Sequence, residues 1–285
     1  MGPPTSDIGV LFDIDDTLVD FAGAARSALL EVAASFDLAA RGAVGAPPGA
    51  VAAHRAGAAH RADGAGRPSR QEVGEQVLSC WEVVSEREYG RFLAGELSFD
   101  DMRLARMTEL LREMDPSGVL GLDPAELELL RNESIFTHYR PYDDVPPALE
   151  RFRSAGVTVG VVSNSDGDHQ RRKMAAAGLD HLMAAAVFSG DLGVSKPDPA
   201  IFVAGAAALG LPVDHVVYVG DRWATDAVGA LRAGLSAVWL NRLELPRPAG
   251  AADDLGSVPG SADRLAELTG LEPLDVEFAR RLVTR

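Results

Sequence analysis

The sequence predicts an α/β protein, a doubly wound parallel sheet with an all-helical domain inserted after its first strand. Three observations lead there. After Pro141, short apolar runs alternate with helical segments, an order that argues for parallel strands joined by helical crossovers. One more such run, IGVLFD at 8–13, stands apart near the N-terminus. Between the two, residues 21–138 carry helical periodicity and no strand pattern.

Taken in order, 8–13 reads as a buried strand. The helical insert follows, with periodic segments at 22–38, 70–93, 98–114 and 123–138. Ser98 or Asp100 suits the cap of the third, and Asp123-Pro124 opens the fourth with proline at the first helical position. The Ala/Gly/Pro-rich stretch 41–69, holding His54, Arg55, His60, Arg61 and Arg67, reads as a long loop or weak helix whose basic residues are solvated. Strands are expected at 157–163, 185–188, 215–219 and 235–240, with helices near 144–155, 168–177, 198–210 and 224–233. The chain then reads as a loop over 241–258 and a short amphipathic helix near 261–269. The domain reading is a discontinuous α/β core, 1–20 with 139–270, a helical domain at 21–138, and a C-terminal tail at 271–285 that could form a last helix.

Composition narrows the function. The chain has 285 residues, 47% of them hydrophobic and 24% charged, ordinary for a globular protein with a sizeable core. Its net charge of −15 opposes nucleic-acid binding, which requires lysine and arginine to displace counterions. No apolar run is long enough for a membrane span, and the start lacks a basic segment followed by an apolar one. A single cysteine, Cys80, excludes an internal disulfide and reads as a buried small apolar residue. A cytoplasmic monomer or homodimer is the expectation.

In doubly wound sheets, ligands bind beyond the carboxyl ends of the strands. The first strand ends in Asp13-Ile14-Asp15-Asp16-Thr17, the second in Ser163-Asn164, and the fourth in Gly220-Asp221 with Asp226 five residues on. Lys196 lies some residues beyond the third. Crowded carboxylates repel unless a cation sits among them, and hard oxygen ligands suit Mg²⁺. A carboxylate beside such a cation can attack a phosphoryl group, while a lysine and a hydroxyl hold the transferring oxygens. A second carboxylate two residues on can serve as acid and base. Asp16 reads as solvent-facing or as a turn cap. Arg222 and Trp223 read as packing residues, as do Trp81 and Tyr89 in the insert.

The motifs VLFDIDDTL, VGVVSN, VSKPDPAIF and GDRWATD occur in that order, each beyond a strand. Together they resemble the haloacid dehalogenase superfamily, mostly Mg²⁺-dependent phosphatases, over about residues 8–240. The resemblance implies Asp13 as nucleophile, Asp15 as acid/base and Lys196 as catalytic cation. It implies phosphate binding by Thr17, Ser163, Asn164 and Lys196. Metal ligation would fall to Asp13, Asp15 through its backbone carbonyl, Asp221 and Asp226, with Asp226 either a direct ligand or behind one. The helical insert matches the family's cap, where substrate choice resides. The family's dehalogenases lack the second aspartate, so Asp15 favours phosphoryl transfer. The implied activity is hydrolysis of a small phosphorylated metabolite, such as a nucleotide, sugar phosphate or phospho-acid. A phosphomutase, or a non-catalytic binding module on the same fold, remains the alternative.

Overall fold

The computed structural model describes residues 7–41 and 68–283. The stretch with His54, Arg55, His60, Arg61 and Arg67 falls outside them. The chain divides into two compact units, Met1–Ala22 with Tyr139–Arg285, and Gly23–His138.

The first unit is built on a six-stranded parallel sheet in the order β3-β2-β1-β4-β5-β6. The strands are β1 (Gly9–Phe12), β2 (Thr158–Ser163), β3 (Ala185–Phe188), β4 (Val216–Gly220), β5 (Ser236–Leu240) and β6 (Leu265–Leu268). β1 lies at the centre, with Leu11 opposite Gly160 on one side and Tyr218 on the other. Every residue of β1, β4 and β5 is buried, so these strands read as unbroken apolar runs rather than as alternation. Successive side chains still point to opposite faces. Leu11 packs with Ile201, Phe202 and Leu209 of the helix Pro199–Leu209, whereas Phe12 meets Phe152 of the helix Val145–Ser154 at 6.4 Å between ring centroids. Helices therefore cover both faces.

Two expectations need correction, and a third gains detail. The helix near 261–269 is one turn, Ser261–Arg264, followed by the sixth strand. Leu265 and Leu268 suit a helix by spacing, but the edge of β5 needs hydrogen-bond partners, and that decides four residues. The loop 241–258 contains a short helix, Ala251–Gly256. The helix at 224–233 begins as a π-helical turn, Trp223–Val228, before Gly229–Arg232 continues it. Such turns occur at functional sites, and here the turn brings Asp226 back onto the Arg222 amide. The C-terminal segment forms the last helix that 271–285 allowed, Val276–Val283, and it is docked on the core. Leu271, Leu274 and Ala279 are buried, and Ser236 Oγ donates to Leu282 O at 2.9 Å.

The second unit is helical among its described residues. Its helices are Arg70–Leu93, Phe99–Met114 and Pro124–His138, with most of Phe21–Ala40. Ser69 caps the first by a capping box with Glu72, and Ser98, not Asp100, caps the second. Leu29, Val32, Phe36, Val77, Met107, Leu110 and Leu127 form its core, against which Trp81 and a half-buried Cys80 pack. Tyr89 lies beside Phe92, their ring centroids 5.9 Å apart.

Candidate active site

The strand order reverses direction between β1 and β4, and the polar strand ends meet there. Asp13 follows β1 and continues its ladder, donating its amide to Val219 O at 2.8 Å. Asp221 and Asp226 follow β4. One carboxylate oxygen from each of Asp13, Asp221 and Asp226 lies within 4.8 Å of the others.

Lys196 enters this group with its ammonium buried. It lies 2.6 Å from Asp13 Oδ1 and 2.7 Å from Asp226 Oδ1, and donates to the Tyr218 hydroxyl at 2.9 Å. All three ammonium protons thus have acceptors. The Tyr218 hydroxyl in turn donates a hydrogen bond to Val162 O at 3.0 Å. The lysine backbone is pinned by Asn164, which accepts from Lys196 N at 2.7 Å and donates to Lys196 O at 2.8 Å. Both polar ends of the Asn164 side chain are engaged there, which ties the end of β2 to the lysine backbone. Asp226 Oδ2 accepts from Arg222 N at 3.0 Å, so both of its oxygens are also engaged. Thr17 is fully buried, and its hydroxyl is directed at Asp221 Oδ1, 3.5 Å away. Trp239 Nε1 donates to Asp221 O at 2.8 Å, and Trp223 packs on the Trp239 ring.

The electrostatics follow from the count. Three carboxylates are grouped around one ammonium, which contacts two of them. Burial pushes Asp13 up to about 8; Lys196 opposes this, while Asp226, Asp221 and Asp15 reinforce it. Burial, reinforced by Asp226 and opposed by Arg222, takes Asp221 to about 7. Lys196 is held well above its usual range, because Asp13 and Asp226 outweigh the burial that would lower it. An all-oxygen donor set short of positive charge fits a hard divalent cation such as Mg²⁺.

Asp15 faces a different environment. Burial alone would raise its carboxyl, but Lys173, then Gln170, hold it below its ordinary value. Lys173 Nζ bonds Asp15 Oδ1, and Gln170 Nε2 donates to Asp15 Oδ2 at 3.0 Å and to Ser163 Oγ at 3.1 Å. The Ser163 oxygen is therefore an acceptor here, which leaves its one proton to donate. Asp16 adopts a left-handed conformation, φ 56°, and its Oδ1 accepts from Ala22 N at 2.9 Å, the turn-cap role expected of it. Arg242 supports the same turn. It donates to Thr17 O at 2.9 Å and clasps both oxygens of Asp144 at 2.9 and 3.0 Å.

Sequence reasoning missed Gln170, Lys173, Tyr218 and Arg242. A lysine and a glutamine three apart on a helix read as a solvated face, and Tyr218 reads as one apolar residue in a strand. Only the motif residues carried a signal of their own.

Gly220 sets the fit of Asp226. A Cβ at 220 would stand 2.5 Å from Asp226 Oδ2. Gly220→Ala should therefore displace Asp226 from the Arg222 amide and destabilise the fold by about 1–3 kcal/mol. Thermal unfolding reads this out; an unchanged midpoint would show that Asp226 yields at no cost.

A family model described as haloacid dehalogenase-like hydrolase matches residues 9–234. The glyceraldehyde 3-phosphate phosphatase of Methanopyrus kandleri is 35% identical over 128 residues, 43% of this chain and 55% of that protein. The match thus spans about half the length of that relative. Human N-acylneuraminate-9-phosphatase is 26% identical over 235 residues, 82% of each chain. Among solved structures, the HAD-hydrolase YfnB of Bacillus subtilis, bound to magnesium, superposes with a TM-score of 0.64 at 18% identity. That alignment covers 98% of this chain and 99% of that one, a likeness of fold.

Proposed function

The chain belongs to the haloacid dehalogenase-like hydrolases, and from that premise we propose that it is a Mg²⁺-dependent phosphomonoesterase working through an aspartyl-phosphate. The observation that supports this best is Asp13 itself. It stands at the switch point of the sheet, paired to Lys196 at 2.6 Å and grouped with Asp221 and Asp226. The relatives named as phosphatases support the reaction class.

Asp13 and Asp221, with the Asp15 carbonyl, would hold the metal. Asp226, with both oxygens already engaged, stands behind them and fixes Lys196 and the β4 loop. Mg²⁺ bound there supplies positive charge beside the transferring phosphoryl oxygens. An Asp13 carboxylate oxygen attacks phosphorus, and the bond to the leaving oxygen breaks. Asp15, protonated when substrate is bound, gives that oxygen its proton; the carboxylate this leaves, the form Lys173 and Gln170 hold, takes one from the water that attacks the aspartyl-phosphate. That second step releases inorganic phosphate and regenerates Asp13. Ser163 donates its free proton to a phosphoryl oxygen. Lys196, on Asp13 and Asp226, keeps the nucleophile oriented and offsets charge at the transfer.

The substrate is a small phosphorylated metabolite. Sugar phosphates are the first class to test, because one relative is named for glyceraldehyde 3-phosphate and another for a 9-phosphate of N-acylneuraminate. A panel of sugar phosphates, nucleotides and phospho-acids, read by phosphate release, ranks them. Chelation by EDTA should abolish turnover of p-nitrophenyl phosphate, and added Mg²⁺ should restore it. Full turnover in rigorously metal-free buffer would overturn the proposal.

A further inference from the structure

We infer that Lys173 and Gln170 are positioning residues for the acid/base carboxylate, holding Asp15 in one orientation and tying it to the hydroxyl of Ser163. The inference rests on the acid/base reading of Asp15 given above.

Both residues lie on the helix Gly167–Ala176, three positions apart and so on one face. Gln170 is 0% and Lys173 1% exposed, although each is a residue type that ordinarily seeks water. The helix is fixed to the end of β2 by a short connection, and its first turn is capped by Asp166, which accepts from His169 N at 2.9 Å. Lys173 holds Asp15 Oδ1, and Gln170 holds Oδ2. With both oxygens held by different donors, rotation about either side-chain bond of Asp15 breaks a hydrogen bond to an ionised group, the stronger kind. The ammonium is itself placed from the other side, 4.8 Å from the Phe21 ring centroid and 5.2 Å from that of Tyr139. Gln170 then uses its second amide proton on Ser163 Oγ, so one side chain sets the spacing between the acid/base group and the phosphate-binding hydroxyl.

A purely structural role explains this poorly. Buried ion pairs are often matched or bettered in stability by apolar residues of the same volume. Here the lysine is fully enclosed while the carboxylate it serves stays 32% exposed at its side chain. The asymmetry suits a cation placed to hold a carboxylate that must remain reachable. Misplacing a reacting group by about 1 Å can cost on the order of 10²-fold in rate.

The test compares kcat/KM for p-nitrophenyl phosphate and for the best alkyl phosphate of the metabolite panel. Both are measured on one preparation of each variant. Their ratio cancels any loss of folded enzyme, which a merely structural defect would cause. An alkoxide leaving group needs the proton from Asp15; p-nitrophenolate barely does. Asp15→Asn should lower the alkyl-to-nitrophenyl ratio about 10²–10⁴-fold. Lys173→Met should lower it about 10–10²-fold, with partial recovery in Lys173→Arg. In the Asp15→Asn background, Lys173→Met should leave the ratio unchanged, because it acts only through Asp15. Gln170→Met should lower the ratio and also raise KM through Ser163, and it carries the test if Lys173→Met does not fold. Wild-type ratios in Lys173→Met, or in Gln170→Met where only that variant folds, would overturn the inference if Asp15→Asn still lowers the ratio. An unchanged ratio in Asp15→Asn itself would instead overturn the acid/base reading, and this inference with it.

Discussion

Asp13→Asn is expected to abolish turnover, lowering kcat by about 10⁴–10⁶-fold, the scale at which loss of a nucleophile is felt. The amide is close in size and can still accept from Lys196, but its oxygen cannot form the aspartyl-phosphate. The fold should not suffer. Burial raises the Asp13 carboxyl to about 8, so its charge is disfavoured in the folded state relative to the unfolded one. A group raised in this way weakens the fold as pH climbs from the unfolded value toward the folded one. Removing the charge should therefore leave the unfolding midpoint of the metal-free protein at pH 7 equal to or above the wild-type value. Activity against p-nitrophenyl phosphate and a thermal melt check the two halves. Turnover within tenfold of wild type would exclude Asp13 as the nucleophile.

Lys196→Met should do the opposite to stability. It removes the one ammonium that lies against both Asp13 and Asp226, where the three side chains are 5%, 9% and 1% exposed. Breaking a buried pair by deleting one partner costs about 3–5 kcal/mol, because a charge is left without compensation. For a domain of this size that lowers the midpoint by on the order of 10 °C. Turnover should also fall about 10²–10³-fold, the usual effect of losing one preorganised electrostatic contact. Adding Asp13→Asn to Lys196→Met should recover part of the stability and none of the turnover. An unchanged midpoint in the single variant would mean that the carboxylates find another cation.

Much of the fold was legible because its signals are local. The runs at 8–13, 157–163 and 235–240 are apolar along most of their length, as strands covered on both faces tend to be. The helices at 70–93 and 98–114 announce themselves by period, the second also by a cap candidate, Ser98 or Asp100, of which the structure uses Ser98. β6 was not legible. Four residues with leucines three apart satisfy either period, and the open edge of β5 settles the matter. The π-helical turn at Trp223–Val228 was hidden for a similar reason: its bonds answer to where Asp226 must point.

The sequence by itself determined the α/β class, the helical character of the insert and the order in which Asp13, Asp15, Ser163, Lys196, Asp221 and Asp226 follow the strands. Their types and order are visible along the chain, because each follows an apolar strand. Tertiary structure alone decided what each of them touches. It placed the Lys196 ammonium between Asp13 and Asp226, used Asn164 to hold the lysine backbone, and turned Gln170 and Lys173 inward onto Asp15. The physical reason is that pairing depends on distance in space and on exclusion of water. A lysine at position 173 has the same chemistry on paper whether it points to solvent or lies under a carboxylate. Only the packing of its helix against β3 and the rings of Phe21 and Tyr139 removes the water and makes the carboxylate its partner.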